Sequence, residues 1–325
     1  MTERRVDELS DLLSSALAER LDATVQIADL DRLSGGASRE TWAVRALIDG
    51  VGRDLILQRE RPGGVRTGGG MTTEGELIRA AAASGVPVPP IVATDDGRND
   101  LGASFVVAGA MPGEALPRRI LRDGEFEAAR PLIVGQAAHA LAGIHRIPVD
   151  AAPALERPDQ IAQFRAILDE LGATNPTFEL GFRWLEANPP PTRVDTVVHG
   201  DFRTGNLLVD RRGLVAVLDW ELAHIGNPVE DLGWFCVRAW RFGSAHRAGG
   251  FGSVEELLAA YGEASGREVS IEELRWWEAL GTLKWGVMCL IQTHTHLRGA
   301  ARSVELAAIG RRTVENEWDL LAVIP

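Results

Sequence analysis

The chain has 325 residues, of which 45% are hydrophobic and 25% are charged, and its formal net charge at pH 7 is −12. This length allows two lobes with a sizeable core, and the balance of apolar and charged residues is that of a globular protein rather than a disordered or membrane-spanning one. The acidic balance argues against nucleic acid and against anionic membrane as partners, because phosphate-rich surfaces require a basic face.

The N-terminal region predicts a helix followed by strands. Apolar residues recur at helical spacing between Val6 and Leu17, and no apolar stretch resembles the core of a signal peptide. The segments from Ile27 to Leu33, from Thr41 to Ile48 and from Asp54 to Arg59 alternate as strands do. A loop of small residues joins the first two strands and could lay backbone N–H groups over phosphates. It consists of Ser34, Gly35, Gly36, Ala37 and Ser38.

The next segment predicts one helix and a strand pair. Met71 to Ala83 is rich in alanine and reads as a helix, and two short apolar runs, 91–93 and 103–107, predict strands around a polar turn. Pro112 and Gly113 then mark a change from strand-rich to helix-rich sequence. We therefore expect an N-terminal lobe over residues 1–110 and a mainly helical C-terminal lobe over residues 111–325.

The stretch from Val197 to Trp220 predicts a β-hairpin with polar residues at its base. Apolar runs at 207–209 and 214–218 flank a polar turn. Asp201 and Asn206 precede the first strand, and Asp219 follows the second, so the hairpin should bring Asn206 and Asp219 to one end with Asp201 close by.

Three oxygen-bearing side chains in this arrangement suit phosphoryl transfer. An Asn carbonyl and an Asp carboxylate are ligands that Mg²⁺ accepts, together with substrate phosphates. In protein kinases the catalytic-loop Asp faces the attacking hydroxyl, while an Asn and a later Asp hold Mg²⁺. The sequence thus predicts Asp201 as the catalytic residue and Asn206 and Asp219 as metal ligands. Each residue alone could equally be an ordinary turn residue or helix cap.

The motifs of this region resemble the aminoglycoside phosphotransferase and choline kinase group. Within that group they are most similar to the phosphotransferase domains related to those fused to some acyl-CoA dehydrogenases. The resemblance rests on the runs His199-Gly-Asp201-Phe-Arg-Thr-Gly-Asn206, Leu218-Asp219-Trp220-Glu221, Gly226-Asn227-Pro228, Asp231-Leu232 and Leu283-Lys284-Trp285-Gly286. It implies an α+β, protein-kinase-like two-lobed fold, with an antiparallel sheet in the small lobe.

The resemblance also implies a nucleotide site in the N-terminal lobe. The loop at residues 34–38 would cover the phosphates, and the linker at Ala108 and Ala110 would meet the adenine edge. Kinases place a Lys on the third strand, where this chain offers Gln58 and Arg59. We expect Arg59 to bind the phosphates, because a fixed positive charge stabilises bound triphosphate more than an amide does. One of Glu74 and Glu76 on the following helix is expected to pair with that cation, and Glu76 fits better. Asp231 is expected to anchor the catalytic loop, with a helix N-terminal acid as the alternative.

These features together predict an Mg²⁺-dependent transfer of the γ-phosphoryl group of ATP to a hydroxyl of a small molecule in the cytoplasm. Two alternatives stay open: a non-catalytic nucleotide-binding protein, favoured by the missing strand Lys, and a choline-kinase-like enzyme for amino alcohols. Cys236 and Cys289 lie in apolar surroundings and are expected to be buried thiols. Acceptor and oligomeric state are left open at this stage.

Overall fold

An N-terminal helix and an antiparallel sheet build the first part of the chain. The computed structural model describes residues 3–33, 39–60, 70–97, 99, 101–190 and 194–325. Helix α1 (Glu3–Leu21) presents Leu9, Leu13 and Leu17 as one buried stripe, because residues three to four apart share a helix face. The sequence prediction of this helix is confirmed.

Five antiparallel strands follow in the spatial order β1-β2-β3-β5-β4. Their bounds are Val25–Leu33 (β1), Arg39–Ile48 (β2), Val51–Glu60 (β3), Ile91–Asp96 (β4) and Ser104–Gly109 (β5). The second strand begins two residues before the predicted start, which places Arg39 in the sheet.

One face of this sheet packs against α1. Alternate residues of the strands are buried there, because successive side chains of a strand point to opposite faces. The resulting N-terminal cluster includes Leu9, Leu13, Leu17, Trp42, Val44, Leu55, Leu57, Phe105 and Val107. The opposite face carries Arg39, Thr41 and Ile56, and it is this face that matters for function.

Helix α2 (Met71–Ala83) connects the sheet to the rest of the molecule. It lies against strand β4, where Gly75 permits the close approach: a Cβ at Gly75 would collide with the side chain of Thr94. Leu77 and Ala81 of α2 belong to the large hydrophobic cluster of the C-terminal part. The helix therefore contributes to a core beyond its own sheet, and the predicted division at residues 110 and 111 stays a prediction.

The remaining chain is mainly helical. Its helices are Pro117–Arg122 (α3), Arg130–His145 (α4), Gln160–Leu171 (α5), Pro176–Ala187 (α6), Val229–Cys236 (α7), Val254–Ser265 (α8), Ile271–Leu297 (α9), Val304–Ile309 (α10) and Arg312–Val323 (α11). Both cysteines are buried free thiols, as expected. Among the described helices, none combines the length and the apolar character needed to span a bilayer.

Two small strand pairs lie between α6 and α7. Strand β6 (Thr196–Val198) pairs with β9 (His224–Gly226), and β7 (Leu207–Asp210) forms an antiparallel hairpin with β8 (Gly213–Val217). Val209 and Val217 of the hairpin are fully buried and fix it on the helical core. The predicted hairpin and the predicted order of sheet followed by helices are both confirmed.

Candidate active site

The hairpin brings the predicted metal ligands to one end. Asn206 ends a short 3-10 turn before β7, and Asp219 is the second residue after β8. The backbone N–H of Leu218 donates a hydrogen bond of 2.8 Å to the carbonyl oxygen of Asn206. This bond fixes the residue before Asp219 directly beside Asn206, as the sequence predicted.

Three donors hold the carboxylate of Asp201, which is 7% exposed. The Nε of Arg203 lies 3.1 Å from each oxygen, the indole Nε1 of Trp234 donates to Oδ1 at 2.8 Å, and the Nδ2 of Asn206 donates to Oδ2 at 2.7 Å. Such charge-assisted bonds fix the position of a carboxylate. The sequence analysis did not predict that Arg203 and Trp234 contact Asp201. Only the contact of Arg203 could have been anticipated, because Arg203 lies two residues after Asp201.

The segment that carries Asp201 is anchored from below by Asp231. Its carboxylate accepts the backbone N–H groups of His199 at 2.8 Å and Gly200 at 2.9 Å, and His145 contacts it at 3.1 Å. Burial alone would raise the pKa of Asp231, but the hydrogen bond from His145 and the neighbouring histidines lower it. The predicted anchoring role of Asp231 is confirmed by these contacts.

His199 and Gly200 shape the turn that leads into Asp201. Complete burial lowers the pKa of His199, so the ring is neutral. Its Nδ1 accepts the N–H of Asp201 at 3.2 Å, and its Nε2 donates to the carbonyl of Leu218 at 3.1 Å. Gly200 has a φ of +77°, and a Cβ there would collide with the carbonyl oxygen of Leu222. Only glycine fits this position without strain.

Asp219 lies in an electrostatically unfavourable place. Its φ of +64° is rare for a residue other than glycine, and such backbone conformations concentrate at functional sites. Burial, together with the negative charges of Glu221, Asp201 and Glu74, raises its pKa to about 7, and the positive charge of Arg39 opposes this rise. A bound cation would remove the penalty for ionising this group.

The donor set fits a magnesium ion that also binds a substrate. Asn206 contacts Asp201 through its amide nitrogen, so its amide oxygen is not the atom that meets that carboxylate. Within the described ranges, no three acidic, histidine or cysteine side chains converge as a complete metal cage. An Asn oxygen, an Asp carboxylate and phosphate oxygens from a substrate are the ligands with which proteins usually hold Mg²⁺.

The cation that faces this site is Arg39 of strand β2. Its guanidinium makes a paired contact with Glu74 of α2, at 2.7 and 2.9 Å, and its Nε lies 3.3 Å from Glu221. The expectation that Glu76 fills this role is wrong: Glu76 is exposed, whereas Glu74 is 6% exposed. The reason is helical geometry, since Glu74 lies three and four residues before the buried Leu77 and Ile78.

Arg59 does not point to the site. It shares a strand face with Leu55 and Leu57, which are buried in the N-terminal cluster, and its guanidinium pairs with Glu40 at 2.8 Å. Gln58 lies on the opposite face, next to Thr41 of β2. The prediction that Arg59 approaches the phosphates is therefore corrected by the alternation of the strand.

Comparison with known proteins agrees with this geometry. The model of a phosphotransferase enzyme family, APH, matches residues 29–279. The chain belongs to this phosphotransferase family. It is 28% identical to acyl-CoA dehydrogenase family member 10 of Mus musculus over 247 residues, which are 71% of this chain and 22% of that protein. To member 11 of Homo sapiens it is 28% identical over 283 residues, 78% of this chain and 34% of that protein. The phosphotransferase chain thus spans between about a fifth and a third of these relatives.

Solved structures confirm the kinase-like fold. An aminoglycoside-phosphotransferase-like protein of Ralstonia eutropha superposes with a TM-score of 0.77 at 19% identity, covering 97% of each chain. A choline/ethanolamine kinase family protein of Mesorhizobium loti gives 0.61 at 21% identity, covering 91% of this chain and 92% of that one. The aminoglycoside phosphotransferase APH(4)-Ia, in a ternary complex with AMP-PNP and hygromycin B, gives 0.63 at 16% identity, covering 96% and 97%.

The predicted nucleotide contacts also include the loop at residues 34–38 and the linker at Ala108 and Ala110. Ser34, Gly35, Gly36, Ala37 and Ser38 lie outside the described residues. Ala108 pairs within the sheet with Ile56 and Ile91. The N–H of Ala110 donates to the carbonyl of Asp54 at 2.9 Å. That N–H is therefore paired within the chain, and the expected contact of Ala108 and Ala110 with the adenine edge stays a prediction.

The only lysine of the phosphotransferase, Lys284 on α9, lies beneath the catalytic segment. Its Nζ donates to the carbonyl of Gly200 at 3.0 Å, lies 4.8 Å from the ring centroid of Trp234 and is 3.7 Å from Glu230. A compact ammonium suits this buried position against a ring face. It supports the turn before Asp201 through the carbonyl of Gly200, and the sequence analysis gave it no role.

Proposed function

We propose that this phosphotransferase moves the γ-phosphoryl group of ATP to a hydroxyl group of a small molecule, with Mg²⁺ as the metal. The observation that carries the proposal is the placement of Asp201, Asn206 and Asp219 around one end of the hairpin, with the Asp201 carboxylate held by three donors. Positioning and electrostatics supply most of the catalysis of phosphoryl transfer, so a fixed constellation of this kind is what the reaction requires.

Asp201 orients the acceptor hydroxyl and takes its proton. The hydroxyl oxygen forms a bond to the γ-phosphorus while the bond from that phosphorus to the β–γ bridging oxygen breaks, leaving ADP and a phosphate ester. The proton passes to Asp201 and then to solvent. Arg203, on the same carboxylate, holds it in position for the incoming hydroxyl.

Asn206 and Asp219 would hold the magnesium ion. When bound, the ion neutralises charge on the phosphate oxygens and orients them. The chain itself contributes the orientation: the hairpin fixes both ligands, and the left-handed backbone at Asp219 directs its side chain from the end of β8.

We infer the acceptor class from a cavity beside the indole cluster, whose lining includes Trp285 but none of Asp201, Asn206 and Asp219. The cluster consists of Trp234, Trp240 and Trp285. Trp234 donates a hydrogen bond to Asp201, and the guanidinium carbon of Arg203 lies 4.8 Å from the ring centroid of Trp240. The ring centroids of Trp240 and Trp285 are also 4.8 Å apart. Trp285 also lines a cavity of about 820 Å³, a volume typical of small-ligand sites. Its charged lining consists of Arg238, Arg241, Arg311, Arg312, Glu315 and Asp319.

Four guanidinium groups thus face two carboxylates in a chain whose net charge is −12. Arg238 pairs with Asp319 and Arg312 with Glu315, while Arg241 pairs with Glu278 outside this lining. A local excess of positive charge attracts carboxylate or phosphate groups and repels polycations. We therefore propose a hydroxyl compound that carries an acid group, rather than an aminoglycoside or an amino alcohol.

The test is ADP formation from Mg·ATP across a matched acceptor panel. The panel pairs hydroxy acids and phosphorylated alcohols with aminoglycosides and choline at equal concentration. We expect acceptor-dependent ADP only with the anionic members, and a higher KM for them in the Arg311→Ala variant. Turnover of the cationic members alone would contradict the acceptor class but not the reaction.

A non-catalytic nucleotide-binding protein is the rival function, because Gln58 takes the position of the usual strand cation. The two functions differ in one measurable way. The rival binds ATP but forms no ADP with any acceptor, whereas the proposed enzyme forms ADP with at least one member of the panel.

A further inference from the structure

We propose that Arg39, on strand β2, is the cation that binds the nucleotide phosphates in this phosphotransferase, in place of a cation on β3. The inference rests on the proposed ATP-dependent function and specifies one residue of its nucleotide site. Arg39 would bind and position the phosphates. The phosphate-binding cation is then on β2, whereas kinases place it on the neighbouring strand β3.

Successive side chains of β3 point to opposite faces of the sheet, and this excludes both predicted candidates for the phosphate-binding cation. Leu55 and Leu57 are buried in the N-terminal cluster, so Arg59 points to the side of α1, where Glu40 neutralises it at 2.8 Å. Gln58 points to the opposite side, but an amide carries no charge. Strand β3 therefore supplies no cation to the functional face of the sheet within its described length.

Strand β2 supplies the cation instead. Trp42 and Val44 are buried in the N-terminal cluster, so the side chains at the odd positions, Arg39 and Thr41, lie on the functional face. Thr41 is directly opposite Gln58 in the antiparallel register. Arg39 is therefore only one pleat further along the same face from the residue that it replaces, within the reach of a long side chain.

The contacts of Arg39 tie the sheet to α2 and to the segment after β8. Its guanidinium bonds both carboxylate oxygens of Glu74, and its Nε faces Glu221, two residues after Asp219. The Arg39 side chain is only 12% exposed. The charge of Arg39 also acts on Asp219. One buried cation thus lies between the helix carboxylate and the metal-ligand segment.

A guanidinium can keep these partners and still bind phosphate. It carries five N–H groups, and the contacts with Glu74 and Glu221 account for three of them among the described residues. Its planar fork matches the spacing of two phosphate oxygens. The single lysine of the chain cannot serve, because Lys284 is committed to the carbonyl of Gly200.

The test compares binding of ATP and adenosine by calorimetry in the full-length chain. Arg39→Gln removes a charge-assisted contact, so we expect affinity for Mg·ATP to fall roughly 10- to 100-fold, while adenosine binding stays unchanged. Arg59→Gln is the matched control: it removes the same charge from the other face of the sheet and should leave both affinities unchanged. Because Arg39→Gln leaves Glu74 buried without its cation, Arg39→Gln with Glu74→Gln repeats the measurement in a neutralised background.

Relocation of the charge gives the sharpest readout. The double variant Arg39→Gln with Gln58→Arg returns a cation to the same face and should recover most of the lost ATP affinity. If Arg39→Gln leaves ATP affinity intact, or weakens adenosine as much as ATP, the inference is overturned while the phosphotransferase function stands. If the unmodified chain binds no nucleotide at all, the proposed function itself fails.

Discussion

Asp219→Asn should stabilise the protein while removing the proposed metal binding. The ionised Asp219 carboxylate is unfavourable in the folded chain, because burial and the charges of Glu221, Asp201 and Glu74 raise its pKa to about 7 from the usual 3.8. The folded state therefore binds more protons than the unfolded state between these two values. As pH rises from about 4 through 7, stability falls, and the full penalty is present above pH 8. An amide of the same shape removes the penalty.

The size of this gain follows from the pKa. A change from 3.8 to about 7 corresponds to at most about 4 kcal/mol, at about 1.4 kcal/mol per pKa unit. The side chain is only partly buried by exposed area, so solvent screens part of the charge and we expect about 1–2 kcal/mol. In a chain of this length that raises Tm by roughly 2–4 °C.

Thermal melts of both proteins at pH 5 and pH 8, without divalent ions, measure the effect. We expect the difference in Tm to be small at pH 5 and to reach its full size at pH 8. With Mg·ATP present, the order reverses, because only the Asp219 protein gains binding energy. Asp210→Asn, at the far end of the hairpin, is the control that should leave ligand binding unchanged. A Tm for Asp219→Asn below that of the unmodified chain at pH 8 would refute the reasoning.

Two further predictions concern the segment around Asp201. Gly200→Ala should lower Tm by several degrees more than Gly266→Ala. Both glycines have φ near +75°, but only at Gly200 would a Cβ collide with another atom, the carbonyl oxygen of Leu222. Equal losses of Tm would show that the chain relieves this collision with little loss of stability. Trp234→Phe removes one donor from the Asp201 carboxylate and should lower kcat roughly tenfold with little change in KM for ATP. A change confined to KM would contradict the role of Trp234 in positioning Asp201.

The parts of the site that the sequence predicted are those that lie close together in the chain. Asp201, Asn206 and Asp219 are separated by one turn and one hairpin, and the alternation of apolar residues determines where that hairpin begins and ends. Asp231 was also predicted, since its position after the hairpin matches the family motif. Local spacing determines geometry when no long-range contact intervenes.

The predictions that failed depended on which face a side chain occupies. Placing the start of the second strand at Thr41 left Arg39 in the loop, although the buried Trp42 and Val44 put Arg39 on the functional face once the strand includes it. Glu74 could have been preferred to Glu76 from its spacing to Leu77 and Ile78 on the same helix face.

Other features required the folded chain. The pairing of Arg59 with Glu40 depends on the register of two strands, and the bond from Trp234 to Asp201 joins residues 33 positions apart. The position of Lys284 beneath Gly200 depends on how α9 packs on the catalytic segment. The spacing of apolar residues predicts helices and strands, but it does not predict which distant residues a side chain contacts in the folded chain.

The most direct test of the proposed chemistry is Asp201→Asn, assayed for ADP formation with Mg·ATP and an anionic acceptor that the unmodified chain uses. Asn cannot take the proton of the hydroxyl but keeps the shape of the side chain. We predict that turnover falls by at least roughly a hundredfold while calorimetry shows unchanged affinity for Mg·ATP. Turnover equal to that of the unmodified chain would contradict the assignment of Asp201 and, with it, the proposed mechanism.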